Sequence, residues 1–280
     1  MSEDIYVRDP DSLERKLSVF HEGGSKGLCV IADFDRTLTL SSVEGVRVHT
    51  TQGLLQEPDI LSPDYTRQTR TLYAKYRPFE LDIGMDPEER REKMKEWAEQ
   101  MWNLLITNDL RKETIERVVE KKSIHMREGG FRFLDMIADH DVPLLVCSAG
   151  VGDIIVSYLE SEGRLYENMD VLSNFLDFDE EGRATGLKSE LMHMGVKDGS
   201  KIKQSDFYAK MHGRGNVLLL GDMIHDVKML EGLEYDCALT IGFLNEKIEE
   251  NIKGYQNLFD VVIVNDGPMN YVNEVVERVL

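Results

Sequence analysis

An α/β fold built on a parallel sheet covered on both faces is what this sequence predicts, and three observations carry the prediction. Continuous apolar runs of strand length, "VPLLVCSAG" (142–150), "NVLLLGD" (216–222) and "CALTIGF" (237–243), alternate with stretches of helical period. Strands apolar on both sides belong to sheets with helices on both faces. Predicted strands end in carboxylates or small residues, and the carboxyl ends of open parallel sheets are where ligands bind. Between about residues 40 and 127 the alternation stops, and a helical, charge-rich insert without strand signals takes its place.

Residues 10–24 read as a helix, with Asp11 or Ser12 as cap, Leu13, Leu17 and Phe20 at helical spacing, and Gly23-Gly24 as its end. Residues 28–34 form the first strand. Residues 41–63 contain Gly45, Gly53, Pro58 and Pro63 and no clean period, so they read as an irregular connection. Asp64 caps a helix reaching Tyr76. Asp86-Pro87-Glu88-Glu89 is a strong helix start, with a cap, a first-position proline and acids in the first turn. Met94, Trp97, Met101, Leu104 and Leu105 then recur at helical spacing, and Asn108 to Lys122 reads as a further helix. Residues 153–163 read as a helix closed by Gly163, and "MDVLSNFLDFDEEG" as a strand followed by a turned connection.

The chain of 280 residues carries 41% apolar residues, enough for a real core. Its net charge of −19 argues against nucleic-acid or anionic-membrane partners, but not against a small phosphate held by local cations. No apolar run is long enough to span a bilayer, and the acidic start "MSEDIYVRDP" is unlike a secretory or transit signal. Cys29, Cys147 and Cys237 lie in apolar segments without metal-ligand spacing and read as reduced and buried. A cytoplasmic protein is the expectation.

"CVIADFDRTLTLSS" (29–42) runs a strand straight into Asp33-Phe34-Asp35. Alternation puts both carboxylates on one face, where they repel unless something positive lies between them, and a divalent cation is the obvious compensation. Alone, this pattern would read as a strand end and a solvated turn. It is not alone. A second strand ends in Ser148-Ala149-Gly150 and a later one in Gly221-Asp222, with Asp226 four residues on. Between those two lies a lysine-rich segment, Lys188 to Lys203.

In this order "DFDRTLT", "SAG", a lysine and "GDMIHD" resemble the motifs of the haloacid dehalogenase-like phosphohydrolases. "YRPFELD", "KEWAEQ", "VCSAGVGDII", "VLSNFLDFDEEG", "GLKSELMH" and "VLLLGDMIHDVKML" resemble, in order and spacing, the cytosolic 5′-nucleotidase III family of pyrimidine and 7-methylguanosine-phosphate nucleotidases. The resemblance covers nearly the whole chain. It implies a three-layer Rossmann-like core from residues 1–40 and 128–280, with a helical cap domain, 41–127, inserted after the first strand.

It also implies roles. Asp33 would be the nucleophile, forming an aspartyl-phosphate, and Asp35 the acid and base. Mg²⁺ would be held by Asp33, the Asp35 backbone carbonyl and Asp222, with Asp226 behind them or reaching the metal through water. Ser148 and the N–H groups of Ala149 and Gly150 would cradle the phosphoryl oxygens. Two lysines compete for the third motif, Lys188 in "GLKSELMH" and Lys197 in "GVKDG", and spacing favours Lys197. Glu80 in "FELD" matches the family's base-binding glutamate.

The chain also departs from the family. Met223 and His225 replace a serine and a glycine, and Ala98 follows Trp97 where the family has an aromatic. Met101 stands at a family serine. The Met94, Trp97 and Met101 stripe is either cap packing or a base-stacking wall, with Trp102 available from the next turn. A Mg²⁺-dependent nucleotidase acting as a monomer on a small nucleotide is the expected function. The other enzyme reading is a phosphatase for phosphoserine or a sugar phosphate. Retention of both Asp33 and Asp35 argues against an inactive binding module and against a dehalogenase.

Overall fold

The computed structural model describes residues 5–57, 59–81, 85–193 and 196–280; at Glu80, Leu81 and Pro87 it describes the backbone alone. The chain starts with β1 (Ile5–Val7), α1 (Pro10–Gly27) and β2 (Leu28–Ala32). A wide turn over Phe34–Leu38 leads to a hairpin of β3 (Ser42–Val43) and β4 (Val46–Arg47). Four helices follow, α2 (Thr51–Leu54), α3 (Pro63–Leu81), α4 (Pro87–Thr107) and α5 (Lys112–Glu120). Alternation then resumes with α6 (Gly130–Asp139), β5 (Leu144–Val151), α7 (Gly152–Ser161) and β6 (Met169–Asn174). A hairpin of β7 (Leu176–Phe178) and β8 (Ala184–Leu187) precedes the short helices α8 (Gly199–Lys203) and α9 (Phe207–Lys210). The chain ends in β9 (Asn216–Gly221), β10 (Cys237–Leu244), α10 (Ile248–Leu258), β11 (Val261–Val264) and α11 (Asn270–Val279).

Among the described residues the main sheet has seven strands in the order β1-β11-β10-β9-β2-β5-β6. Only β1 runs antiparallel, against β11. Ala32 of β2 pairs with Leu220 of β9 on one side and Val146 of β5 on the other. β2 and β9 therefore finish nearly level while β5 runs on to Val151, and β2 delivers Asp33 between its two neighbours.

The alternation of side chains along each strand divides the core into two layers. Leu28, Val30, Ala32, Leu144, Val146, Leu218 and Leu220 pack toward Leu13, Leu17, Phe133, Ile155 and Val276 on the long helices. Cys29, Ile31, Leu145, Cys147, Val217 and Leu219 face the opposite way, against Met192, Ile202, Phe207, Met211 and Met229. Both layers being apolar explains why these strands read as unbroken hydrophobic runs. The helical insert has its own core of Leu54, Leu55, Tyr65, Trp102, Leu105 and Ile115, continuous with Val151, Ile154 and Leu176.

Several local expectations shift. Asp9 caps α1, its side chain accepting from the Ser12 N–H at 3.0 Å. Gly23-Gly24 ends the regular helix as expected: the backbone leaves helical geometry at Gly24 (φ 55°), and a short helical piece follows across the kink to Gly27. The segment expected to be irregular holds a hairpin, with Glu44 and Gly45 both at positive φ, and the one-turn helix α2. Helix α3 runs through Pro78 to Leu81. The turned connection after β6 is the β7–β8 hairpin. No helix among the described residues is long and apolar enough to cross a membrane.

Candidate active site

The site is made where β2, β5 and β9 end. Asp33 follows β2, nearly buried, with its N–H bonded to the Leu220 carbonyl at 3.0 Å. The next residues form a wide turn closed by the Thr39 N–H on the Phe34 carbonyl at 3.1 Å. Inside it Arg36 takes a left-handed conformation, φ 66°, which costs a non-glycine residue roughly 1 kcal/mol. Buried Arg127 holds that turn: its guanidinium donates to the carbonyls of Thr37 (2.8 Å), Arg36 (2.6 Å) and Gly267 (2.8 Å) and pairs with Asp266 at 3.2 Å. Asn245 adds a second donor to the Arg36 carbonyl at 2.9 Å.

Lys197 reaches the same point from the segment before α8. Its Nζ lies 2.5 Å from Asp33 Oδ1 and 2.8 Å from Asp226 Oδ1. Asp226 Oδ2 accepts the Met223 N–H at 2.9 Å, which ties the turn after β9 to the cluster. Carboxylate oxygens of Asp33, Asp222 and Asp226 all lie within 4.8 Å of one another. Lys188, in contrast, is exposed, with its ammonium 5.8 Å from the centre of the Phe175 ring.

The electrostatics follow from this crowding. Burial pushes the Asp33 carboxyl up to about 7; the lysine opposes the shift and Asp226 adds to it. Asp222 is driven well above the usual carboxylate range by burial, then by Asp33 and Asp226. Burial works to lower the ionisation of Lys197, but Asp226 and Asp33 outweigh it and hold the ammonium protonated. Three carboxylates against one ammonium leave two negative charges unmatched. An all-oxygen donor set with that deficit fits a hard divalent cation.

Asp35 is not part of this cluster. Its carboxylate turns toward the start of α2, taking the Thr51 N–H on Oδ1 at 2.8 Å and the Thr51 hydroxyl on Oδ2 at 2.8 Å. Burial raises its pKa and the two Thr51 bonds oppose the rise. The metal role that the resemblance assigns to Asp35 belongs to its backbone carbonyl, not to this carboxylate.

At the end of β5, Ser148 is buried and its Oγ accepts the Gly150 N–H at 3.1 Å. Asn174 fastens this loop, its amide donating to the Ala149 carbonyl at 2.9 Å and the Met192 carbonyl at 2.8 Å, and accepting the Met192 N–H at 2.7 Å. Asn174 of "SNFLDFDEEG" thus links the end of β5 at Ala149 to Met192, in the segment that leads to Lys197.

The insert is less decided. Glu80 lies on α3, with its side chain outside the described residues. Trp97 stacks on Tyr76 (centroids 6.1 Å apart, planes 11° apart) and meets Tyr73 edge-on at 6.0 Å. Its buried Nε1 has no hydrogen-bond partner among the described residues. Met94 and Met101 are buried. Trp102 is 4% exposed within the insert's own core, so it is not available as a base-stacking wall. His225 is half-buried and lies outside the carboxylate cluster, its ionisation lowered by burial and by Lys228.

Thr51, Arg127 and Asn174 were not singled out as site residues by sequence. Asn174 stood inside a quoted motif, whereas Thr51 sits in a stretch without period and Arg127 carries no local signal at all.

The family model Pyrimidine 5'-nucleotidase (UMPH-1) matches residues 36–280. The 7-methylguanosine phosphate-specific 5'-nucleotidase A of Xenopus laevis is 31% identical over 276 residues, covering 98% of this chain and 95% of that protein. The crystal structure of cytosolic 5'-nucleotidase IIIB bound to cytidine superposes with a TM-score of 0.92 at 29% identity, covering 100% of this chain and 94% of that one. A substrate-bound phosphoserine phosphatase, 16% identical over 89% of this chain and 97% of its own, shares the fold at a TM-score of 0.52. With a family model across most of its length and a relative of this identity across nearly all of it, the chain belongs to the pyrimidine 5'-nucleotidase family.

Proposed function

We propose that the protein is a Mg²⁺-dependent 5′-nucleotidase, hydrolysing nucleoside 5′-monophosphates such as cytidine or 7-methylguanosine monophosphate to nucleoside and phosphate. One observation carries the reading: Asp33 bonded to Lys197, beside Asp222 and Asp226, at the carboxyl end of a central strand. In this reading an Asp33 oxygen attacks phosphorus. A new P–O bond forms while the bond to the 5′-oxygen breaks, and Asp35 delivers a proton to that oxygen. Asp35 then takes a proton from water as the water oxygen attacks the aspartyl-phosphate, freeing Asp33 and inorganic phosphate. Lys197, Ser148 and the N–H groups at Ala149 and Gly150 hold the phosphoryl oxygens.

Asp33, Asp222 and the Asp35 carbonyl would hold the metal, with Asp226 behind them. When bound, it supplies the positive charge that lets an anionic nucleophile approach an anionic phosphate. The insert, residues 41–127, would act as a cap, with Glu80 accepting from the base and Trp97 against its face. The names of the relatives point to 7-methylguanosine phosphate and cytidine as the base classes, and no observation favours phosphoserine.

Phosphate release across a panel of nucleotides and small phosphoesters, with and without chelator, tests the proposal. Cytidine and 7-methylguanosine monophosphate should lead the panel, with turnover lost in chelator and blocked by beryllium fluoride. Full activity in excess chelator, or a preference for phosphoserine, would contradict it.

A further inference from the structure

We propose that Thr51, at the entrance to the helical insert, is the positioning residue for Asp35, fixing the place and plane of its carboxyl. The inference rests on Asp35 being the proton donor and acceptor of the reaction. One residue grips both oxygens: the Thr51 N–H donates to Oδ1 and the Thr51 hydroxyl to Oδ2, each at 2.8 Å. A threonine hydroxyl has a single proton. The Val151 N–H donates into that same hydroxyl oxygen at 3.2 Å, so the hydroxyl's proton is directed at Asp35. Each carboxylate oxygen keeps a second lone pair for the proton it must carry in turnover.

An independent observation shows how closely this arrangement is packed. A Cβ on Gly150 would lie 2.1 Å from Thr51 Oγ1 and 3.0 Å from Asp35 Oδ2. Gly150 does not have a left-handed φ, so the space taken by Thr51 and Asp35 is what requires glycine there. Thr51 is itself 1% exposed, and Thr50 caps the turn it opens, accepting the Gly53 N–H at 3.2 Å. Leu54 of that turn and Leu55 after it are buried in the insert's core. The acid is therefore oriented by a residue whose own place depends on how the insert seats on the sheet.

Thr51→Val keeps the shape and the backbone N–H but removes the hydroxyl; Thr51→Ser keeps the hydroxyl and removes the methyl. With cytidine monophosphate and saturating Mg²⁺, Thr51→Val should lower kcat roughly tenfold to a hundredfold, part of the usual acid–base contribution. Its KM should stay within about twofold, and Thr51→Ser should return kcat to within about threefold of wild type. With nitrophenyl phosphate, whose leaving group departs without a proton, Thr51→Val should still release a rapid burst of nitrophenolate. In an Asp35→Asn background the Val substitution should cost nothing further, since the two residues act through one contact. A packing role gives the reverse order, with Ser impaired and Val normal, and that order overturns the proposal. An inactive Asp35→Asn beside an unimpaired Thr51→Val removes the Thr51 role alone. A fully active Asp35→Asn removes the acid assignment, and the Thr51 role with it.

Discussion

Lys197 answers two carboxylates at once, and among the described residues no other positive charge lies at hydrogen-bond distance from Asp33. Lys197→Ala should therefore reduce phosphate release by about a hundredfold or more, because it removes charge stabilisation at the reacting phosphate. Lys188→Ala, which removes an exposed ammonium near a ring, should change it by less than about twofold. Steady-state kinetics of the two variants check the order, and the reverse order would reassign the lysine. The same crowding makes stability depend on pH and metal. Asp33 is raised from 3.8 to about 7 in the folded chain, so the folded state binds its proton more tightly than the unfolded state does. Its contribution to stability is complete below 3.8 and is lost as pH rises through about 7. A divalent cation competes for the site that this proton occupies. The gain in melting temperature from saturating Mg²⁺ should accordingly be larger at pH 8 than at pH 5.5. An equal gain at both would place the metal elsewhere.

The turn after β2 stands because two elements distant in sequence grip it. Arg127, in the segment that returns from the insert, offers separate donors to three carbonyls and packs over Phe243 at 4.3 Å. A lysine there has one nitrogen for several dispersed acceptors and cannot reproduce the fork. Arg127→Lys should lower stability by about 3 kcal/mol. In a chain of this size that corresponds to a melting temperature lower by roughly 6–12 °C. Differential scanning calorimetry of the metal-loaded protein measures it, and a shift under about 2 °C would mean the turn holds itself. The elements also show what a sequence can carry. Helices α4 and α7 repeat a period often enough to be read, strands β5, β9 and β10 are apolar runs long enough to be read, and their boundaries moved by only a few residues. Strand β1 has three residues and finds its partner β11 at the other end of the chain, and β3, β4 and α2 have two, two and four residues. None of these is long enough to show a period. Thr51 was missed for that reason.

The molecule as a whole is a sheet with two apolar faces and a helical insert leaving it just after β2, an interior strand. That architecture was legible because β2, β5 and β9 are buried on both sides, which leaves unbroken apolar runs. Strand ends in a parallel sheet converge, so Asp33, Ser148 and Asp222 could be placed at one edge before any coordinates. The direction of Asp35 could not, because alternation in an extended strand put both carboxylates on one face. The chain abandons the strand at Phe34, and the turn sends the second carboxylate toward Thr51. Trp102 was likewise ambiguous, since a buried aromatic in a helical stripe and a ligand-facing one share the same spacing. In the proposed reading the net charge of −19 coexists with an anionic substrate because the cations that matter are local: Lys197 and the cation that the carboxylate cluster could hold. Everything proposed for function depends on Asp33 being the atom donor to phosphorus. The most direct measurement is phosphate release from cytidine and 7-methylguanosine monophosphate, with Mg²⁺, by wild type and by Asp33→Asn side by side. The account expects metal-dependent release by wild type and a loss of about 10³-fold or more in a variant that still melts cooperatively. Turnover by folded Asp33→Asn within about tenfold of wild type would contradict it.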